Sequence, residues 1–337
     1  MTQTAPSGAA RLLRWAWIPV TLAAVAGLAL LVDWKTVGRE LAGASLPELA
    51  AMLAIWGLWL AVRPMRMRMF VRATGHGNRL TVNDAFGTHA VGNSVNSLLP
   101  MRAGEVAMIW LLHKRANVPA GSGASAIVLD RLCDLFGALG LLLIAMSRMS
   151  QMPATISQGV PIFAAALIAS LVVFAIGLRY RGFALRLAAR FLPARLIAPL
   201  GHLLDGLSVL ARPRVALGAV LWTAAIWSLI AASFYFGMDA ILPDLRPTMA
   251  IFTVAVISLA FLVPAAPGGI GVFHAAAVFA LSIFGVPAEA ALAFAILTHA
   301  LTFVFGLCVA LAWVLANGIN PRILTHRVDE APDSKGE

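Results

Sequence analysis

The sequence predicts an all-α polytopic membrane protein, and three observations support that prediction. Hydrophobic residues make up 61% of the 337 residues and charged residues only 12%, whereas soluble domains carry about 25% charged residues. The apolar residues form runs whose length is close to the ~20 residues that a helix needs to cross a bilayer. The basic residues gather in short segments beside those runs, as the positive-inside rule describes. The net charge of +10 therefore indicates membrane orientation and argues against nucleic-acid binding.

Six apolar runs are long enough for full spans, at residues 15–33, 46–62, 121–147, 159–178, 215–238 and 288–316. The first run lacks a small-x-small cleavage site, which indicates a retained span and not a cleaved signal peptide. Both cysteines lie in apolar runs, so they predict neither a disulfide framework nor a metal site. We expect one integral membrane domain at 15–316, a cytoplasmic N-terminus at 1–14 and a mobile cytoplasmic tail at 317–337.

Two further apolar regions, residues 80–113 and 248–286, are each interrupted in the middle. The interruptions read LLPMRAGE at 98–105 and LVPAAPGGIG at 262–271. Proline removes a backbone donor and glycine loosens a helix, so neither region is expected to form one continuous helix. The second arm of the first region is too short to cross a bilayer. We therefore predict two re-entrant helical hairpins.

Two groups of arginine set the predicted orientation. One is expected to form a cytoplasmic loop at 63–79, and the other occupies residues 179–214. Both lie on the cytoplasmic side only if the region 80–113 enters and leaves on that side. The same logic makes 248–286 a hairpin that enters from the outer side, with both termini cytoplasmic. Within 179–214 apolar residues recur with helical spacing between arginines, a pattern typical of an amphipathic helix on an anionic membrane surface.

The order span, hairpin, span occurs twice, which predicts an inverted repeat. The two breaks align as Pro100-x3-Gly104 and Pro264-x3-Gly268. Inverted repeats with broken helices at matching positions are typical of transporters whose site lies near the membrane midplane. The alternative is a chance recurrence of proline and glycine in an apolar chain.

Arg102 and Glu105 lie one helical turn apart and can share a face. Charged residues at membrane depth are costly unless paired or hydrated, and they are functional candidates by default. A guanidinium binds phosphate oxygens bidentately, and a helix that begins near Gly104 points free N–H groups at the same anion. With Pro100 as the helix breaker, these residues predict a site for an anionic lipid headgroup. The alternative is a salt bridge that pins the hairpin.

Two further groups of polar residues accompany this site. Asn93 and Asn96 belong to a stripe with helical spacing that faces either a cavity or the partner arm. Asp130, Arg131 and Asp134 lie near the predicted start of a span. The two aspartates share a face and can pair with Arg102 or with the basic segment. Structural ion pairing and a functional role are both open for them.

The second break contains a candidate anion site made of backbone. Its glycines permit unusual φ/ψ and close backbone approach, and exposed amides there can bind an anion. The alternative is a tight turn with small-residue packing. His274 and His299 are candidate proton carriers, or simply hydrogen-bonded side chains, and their spacing predicts no metal site. The candidate residues are Pro267, Gly268, Gly269, Gly271 and His274.

Three stretches resemble one membrane family: NSLLPMRAGEV, VLDRLCD at 128–134 and VPAAPGGIGVFHAAAV at 263–278. They look like signature stretches of the transmembrane region of lysylphosphatidylglycerol synthases and its stand-alone relatives. In the synthases this region is similar to a lipid flippase and is followed by an aminoacyl-transferase domain, which this sequence lacks. The resemblance implies lipid flipping in the inner membrane and argues against lysine transfer. Family members usually carry an acidic residue where this sequence has His274.

The sequence thus predicts an inner-membrane lipid flippase or transporter that is not an enzyme, acting on a phospholipid or another lipid, for example in envelope or hopanoid metabolism. No cofactor or metal is expected. The expected partners are membrane lipids with an anionic headgroup, and a second copy of the chain or lipid-biosynthesis proteins are further options. Two alternatives stay open. One is an intramembrane transferase acting on a lipid or polyprenyl phosphate through Asp130 and Asp134, and the other is a non-catalytic subunit of a lipid-biosynthesis complex.

Overall fold

A computed structural model describes residues 17–318 with the exception of 77, 100–101, 150–158, 243–244 and 263–265. Within 181–203 it describes only residues 182, 185–186, 189–190, 193 and 201. Its regular elements are helical throughout these described ranges. In chain order they are α1 (Trp17–Leu31), α2 (Trp34–Ala42), α3 (Leu46–Ala73), α4 (Val82–Leu98), α5 (Ala103–Ala116), α6 (Ala120–Arg148), α7 (Gly159–Arg179), α8 (Pro213–Asp239), α9 (Pro247–Ala260), α10 (Val272–Ser282) and α11 (Ala288–Ala316), with short 3₁₀ turns at Ser208–Ala211 and Pro267–Gly269.

The helix starts follow local chemistry. Thr81 caps α4, because its hydroxyl accepts a hydrogen bond of 3.0 Å from the Asp84 N–H and donates one of 2.6 Å to the Asp84 carboxylate. Proline opens α8 at Pro213 and α9 at Pro247, positions where its missing N–H has no helical partner to lose. The prediction of an all-α membrane protein is confirmed.

Three helices, α3, α8 and α11, are long and apolar enough to cross a membrane. A fourth candidate is the pair of α1 and α2, which meet at an angle of 87°. The helix α6 has 29 residues but carries Asp130, Arg131 and Asp134 within two turns. The count of six full spans, the re-entrant hairpins and the inverted repeat therefore stay predictions.

The predicted arginine loop at 63–79 is wrong for most of its length. The helix α3 continues through Pro64 to Ala73, so Arg63 and Arg66 are helical, and both are buried. The physical reason is compensation, because carboxylates on α6 pair with these two arginines and remove the cost of burying them. The expected orientation rested partly on this loop.

Both interrupted regions form broken helix pairs. The first consists of α4 and α5, which pack against each other, and the second consists of α9 and α10, which do the same. The backbone of Gly104 lies directly against the carbonyl of Gly92, too close for any side chain on Gly104. The Gly104 N–H also donates a hydrogen bond of 2.8 Å to the side-chain oxygen of Asn96. This close approach holds the two arms of the first pair together.

The packing places the first broken pair between the long helices. The helix α3 packs along α8, α4 packs against α11, and α6 packs against α9. A core of Phe234, Phe273 and Phe294 joins α8, α10 and α11. This arrangement brings the charged residues of α3, α5 and α6 to one region of the interior.

Polar contacts lie at both ends of α11. Near its start, the Asp33 N–H donates to the Glu289 carboxylate at 3.4 Å, and Val37 of α2 packs in a cluster with Leu292. Just after its end, the Asn317 side-chain oxygen accepts from Asn83 at 2.9 Å and from Arg115 at 3.3 Å. The predicted N-terminus at 1–14, residues 319–337 of the predicted tail at 317–337, and most of residues 181–203 of the predicted amphipathic segment at 179–214 lie outside the described residues.

Candidate functional site

The interior of the protein contains a network of four arginines and three carboxylates. Its innermost member is Arg66 of α3, whose side chain has 0% exposure. The Arg66 Nε donates to the Asp130 carboxylate at 2.8 Å, and another nitrogen donates to the Asp130 carbonyl at 3.0 Å. Asp134 accepts a further bond from Arg66, and Thr223 of α8 accepts one at 2.9 Å. Residues of α6 and α8 therefore accept four hydrogen bonds from this guanidinium.

Arg63 lies one turn before Arg66 and faces the same two aspartates. Its two terminal nitrogens both donate to the Asp134 carboxylate, and one lies 3.5 Å from the Asp130 carboxylate. Its Nε donates to Nε2 of His89 at 2.8 Å. Its guanidinium carbon lies 5.2 Å from the ring centroid of Trp59. The two arginines and two aspartates thus form a buried, charge-neutral group.

The network continues outward through α5. Arg131 lies 3.2 Å from the Asp134 carboxylate and 3.2 Å from the Glu105 carboxylate. Arg102 lies farther from Glu105, at 3.8 Å, and its side chain is 54% exposed. It also donates a bond of 3.4 Å to the carbonyl of Phe261 at the end of α9. Because Glu105 is closer to Arg131, Arg102 is the least compensated cation of the network.

The backbone at Arg102 supports this outward position. Arg102 has φ 56 and ψ 37, in the left-handed region, and is the residue just before α5 begins. Such a conformation costs about 1–3 kcal/mol for a residue other than glycine, and it persists only where the surrounding structure enforces it. Here it directs the side chain across the break to the end of α9. Pro100, predicted to be the helix breaker, lies outside the described residues.

The second broken pair meets the first at this point. Gly268, Gly269 and Gly271 have φ values of 70, 71 and 85, which confirms the predicted unusual backbone. A Cβ on Gly268 would lie 3.2 Å from the carbonyl oxygen of Ser97, so the turn after Pro267 lies against the end of α4. The N–H of Gly269 already donates to the carbonyl of Ala266 at 2.8 Å. Anion binding by the amides of this turn stays a prediction.

His274 and His299 lie side by side although they are far apart in sequence. Their ring centroids are 5.2 Å apart, and Phe273 stacks on His299 at 4.5 Å. No cluster of three or more His, Cys, Asp or Glu side chains among residues that the structure describes has the geometry to hold a metal ion. Roles as proton carriers stay predictions for both.

The structure places the remaining candidates in two groups. Asn96 bonds across the broken pair to Gly104, and the carbonyl of Asn93 accepts from Ser97 at 3.0 Å, so both take part in helix contacts. Asp130, Arg131 and Asp134 join Glu105 in the network. Arg63 and Arg66 were not predicted as site residues, because both were assigned to the cytoplasmic loop at 63–79. The sequence did contain a signal for this pairing. The two arginines are three residues apart and the two aspartates four apart, so each pair can share one face of its helix.

The molecule is thus an all-α, multi-pass membrane protein with an arginine–carboxylate network beside two helix breaks. The chain belongs to the family of the lysylphosphatidylglycerol synthase transmembrane region, whose model matches residues 17–310. A curated relative, Glycosyltransferase AglD of Haloferax volcanii, is 26% identical over 317 residues, which cover 83% of this chain and 50% of that protein. The chain therefore spans about half the length of that relative. The suspected family is confirmed.

The comparisons also correct one expectation. The chain was expected not to be an enzyme, and the similarity to a protein named as a glycosyltransferase overturns that expectation. The family and this relative together support a lipid-related function in a membrane.

Proposed function

We propose that the protein binds the phosphate of a membrane lipid at Arg102 and moves the headgroup across the inner membrane as a flippase. The observation that carries this proposal is the position of Arg102. It is the least compensated and most exposed cation of the network, and it lies where the two broken helix pairs meet. A guanidinium with free donors binds phosphate oxygens bidentately.

The surroundings of Arg102 suit an amphipathic ligand. The neighbouring Leu98 and Leu99 are exposed, and so are Phe261 and Leu262 across the break. A cation ringed by exposed apolar side chains matches a lipid, whose phosphate is charged and whose tails remain in the bilayer. The broken helices supply backbone that can rearrange during transport, as expected for irregular backbone that lines a transport path.

The test is exchange of labelled phosphatidylglycerol between the leaflets of liposomes that contain the purified protein. Arg102→Asn removes the charge, and asparagine tolerates the left-handed conformation better than most residues do. A hydrogen-bonded charged contact contributes about 1.5–3 kcal/mol, so we expect a loss of about tenfold or more in the exchange rate. Arg102→Lys keeps the charge without the bidentate geometry, so its exchange rate is expected to lie between those of Arg102→Asn and the unaltered protein.

The matched control is Arg148→Asn, which removes an exposed arginine at the end of α6. It is expected to exchange lipid as the unaltered protein does. Equal exchange by Arg102→Asn and the unaltered protein would remove Arg102 from the mechanism. Extracted native lipids, tested in the same assay, cover substrates other than phosphatidylglycerol.

A second candidate function is a part in glycosyl transfer on a lipid phosphate, and the named relative favours it. In this case too, Arg102 would hold the lipid phosphate. Asp130 and Asp134 are already paired with arginines, so they are engaged in structural contacts and not free to act as bases. A mass change in a polyprenyl-phosphate sugar incubated with the protein would favour this function, whereas exchange without chemical change would favour the flippase. Association with a second copy or with lipid-biosynthesis proteins stays a proposal.

A further inference from the structure

We infer that Trp56, Trp59 and His89 form an inner binding position for a phosphate oxygen, deeper in the protein than Arg102. This inference rests on the proposed function, because it gives the lipid headgroup a second binding position along its path. The three side chains lie on α3 and α4, next to the Arg63 end of the network. Each contributes an N–H donor that meets no acceptor among the residues that the structure describes.

The donor on His89 follows from its contact with Arg63. The Arg63 Nε carries a hydrogen and donates it to Nε2 of His89 at 2.8 Å. The Nε2 atom is therefore an acceptor, and the proton of the neutral ring lies on Nδ1. His89 is 1% exposed, and its Nδ1 has no hydrogen-bond partner among the described residues. The imidazole thus presents a buried, unsatisfied N–H.

The two tryptophans present the same kind of group beside it. Trp59 is 6% exposed, and its ring lies edge-on to His89 with the centroids 6.2 Å apart. Trp56 stacks on Trp59 at 4.6 Å. Neither indole N–H has a hydrogen-bond partner in the described part of the chain. One compact aromatic group therefore holds three N–H donors, with the guanidinium of Arg63 over the Trp59 ring.

A set of donors without acceptors selects for a particular ligand chemistry. Buried polar groups are almost always hydrogen-bonded, and an unpaired one is costly in a low-dielectric interior. A phosphate oxygen only accepts hydrogen bonds, so it suits a group of N–H donors. A hydroxyl or a water suits this group less well, because it also has hydrogens that it must donate. The carboxylates nearest this group, Asp130 and Asp134, are already occupied by arginines.

The location suits a ligand that arrives from Arg102. Contacts between side chains run without a gap from Arg102 through Glu105, Arg131 and Asp134 to Arg63, and Arg63 touches both His89 and Trp59. The three donors therefore lie at the inner end of the line of contacts that begins at Arg102.

Trp227 supplies a control with the same chemistry and a different setting. Its indole N–H also has no hydrogen-bond partner in the described ranges. That nitrogen, however, lies against the backbone of Gly137, where not even a Cβ fits. A ligand oxygen has no room there, so the Trp227 indole N–H signal is expected not to shift when a ligand is added.

The experiment is nuclear magnetic resonance of the full chain, labelled with ¹⁵N at its tryptophans and purified in detergent. The variants Trp56→Phe, Trp59→Phe and Trp227→Phe assign the three indole N–H signals by their loss. The probes are dioctanoyl phosphatidylglycerol, inorganic phosphate and dioctanoylglycerol, which has no phosphate. We expect phosphatidylglycerol to shift the Trp56 and Trp59 signals downfield and to leave the Trp227 signal in place. Trp59→Phe should weaken binding about two- to tenfold, as expected for one net hydrogen bond.

Each outcome bears on one of the two proposals. If the Trp56 and Trp59 signals stay in place with every probe while lipid exchange depends on Arg102, the inner position is refuted and the proposed function stands. If these signals shift while Arg102→Asn exchanges lipid normally, the inner position stands and the proposed function fails. A shift with inorganic phosphate alone would identify a free anion as the ligand. An equal shift with dioctanoylglycerol would show that phosphate is not the recognised group and would overturn the inference.

Discussion

Arg66 and Asp130 form an ion pair of 2.8 Å that is almost completely removed from solvent, with 0% of the arginine side chain and 4% of the aspartate side chain exposed. The pair joins α3 to α6 across 64 residues of sequence. Desolvating two charges is costly, and only their attraction and further hydrogen bonds offset that cost. The stability of the membrane domain therefore depends on keeping both partners or neither.

The first prediction concerns this pair. Arg66→Met and Asp130→Leu are each expected to lower the free energy of unfolding by about 3–5 kcal/mol, because each leaves an uncompensated buried charge. The double variant is expected to recover much of that loss. Thermal unfolding of the purified protein in detergent measures all three. Additive losses in the double variant would contradict the coupling, and Arg148→Ala, at an exposed site, is the neutral control.

The second prediction tests the close contact in the first broken pair. Gly104→Ala places a methyl group against the carbonyl of Gly92 and the side chain of Asn96, so the two arms must separate. We expect a destabilisation of about 1–3 kcal/mol, the usual cost of overpacking, together with reduced lipid exchange. Gly121→Ala is the matched control, since nothing lies within 4 Å of its added Cβ. An unchanged unfolding temperature for Gly104→Ala would contradict the contact.

The third prediction concerns the charge balance at Arg102. Glu105 is shared between Arg131 and Arg102, at 3.2 and 3.8 Å, so Glu105→Gln leaves Arg102 without a carboxylate and Arg131 with Asp134. We expect tighter binding of dioctanoyl phosphatidylglycerol by up to about fivefold, the effect of removing one partly exposed ion pair. Titration of the lipid into detergent-solubilised protein measures it. Weaker binding would show that Glu105 itself holds the ligand, and Glu40→Gln on α2 is the charge-matched control.

The fourth prediction concerns Asp84, a buried carboxylate that accepts from Arg115 at 2.8 Å and from Thr81 at 2.6 Å. Asp84→Ala removes both bonds to the carboxylate but keeps the backbone N–H that Thr81 caps, with an expected loss of about 1–3 kcal/mol. Arg115→Ala removes the bonds to Asp84 and Asn317 and leaves the buried Asp84 carboxylate without its cation, so it is expected to cost more. The same unfolding assay ranks the two variants, and the reverse order would contradict the assignment.

The sequence predicted the helices well where a local signal existed. Apolar runs placed the long helices α3, α8 and α11, and the Pro/Gly breaks correctly divided both interrupted regions. Arg102 and Glu105 also lie in contact, as one turn of spacing suggested. These features depend on residues near each other in the chain.

The remaining features depend on contacts between distant residues. The pairing of Arg63 and Arg66 with two aspartates joins segments more than sixty residues apart, and Pro64 with a run of arginines is typical of a loop. The neighbouring rings of His274 and His299 come from separate helices. The 87° turn between α1 and α2 also had no counterpart in the prediction, because one apolar run appeared to end at Asp33.

The polar contacts at the two ends of α11 have a further consequence. Its 29 residues span about 43 Å at 1.5 Å per residue, and a bilayer with its headgroup layers is about 40–45 Å thick. The Asp33–Glu289 contact and the Asn83–Asn317 contact therefore mark levels one full membrane thickness apart. When α11 stands upright in a bilayer, the polar groups at its two ends are spaced to meet the headgroup layers on the two sides.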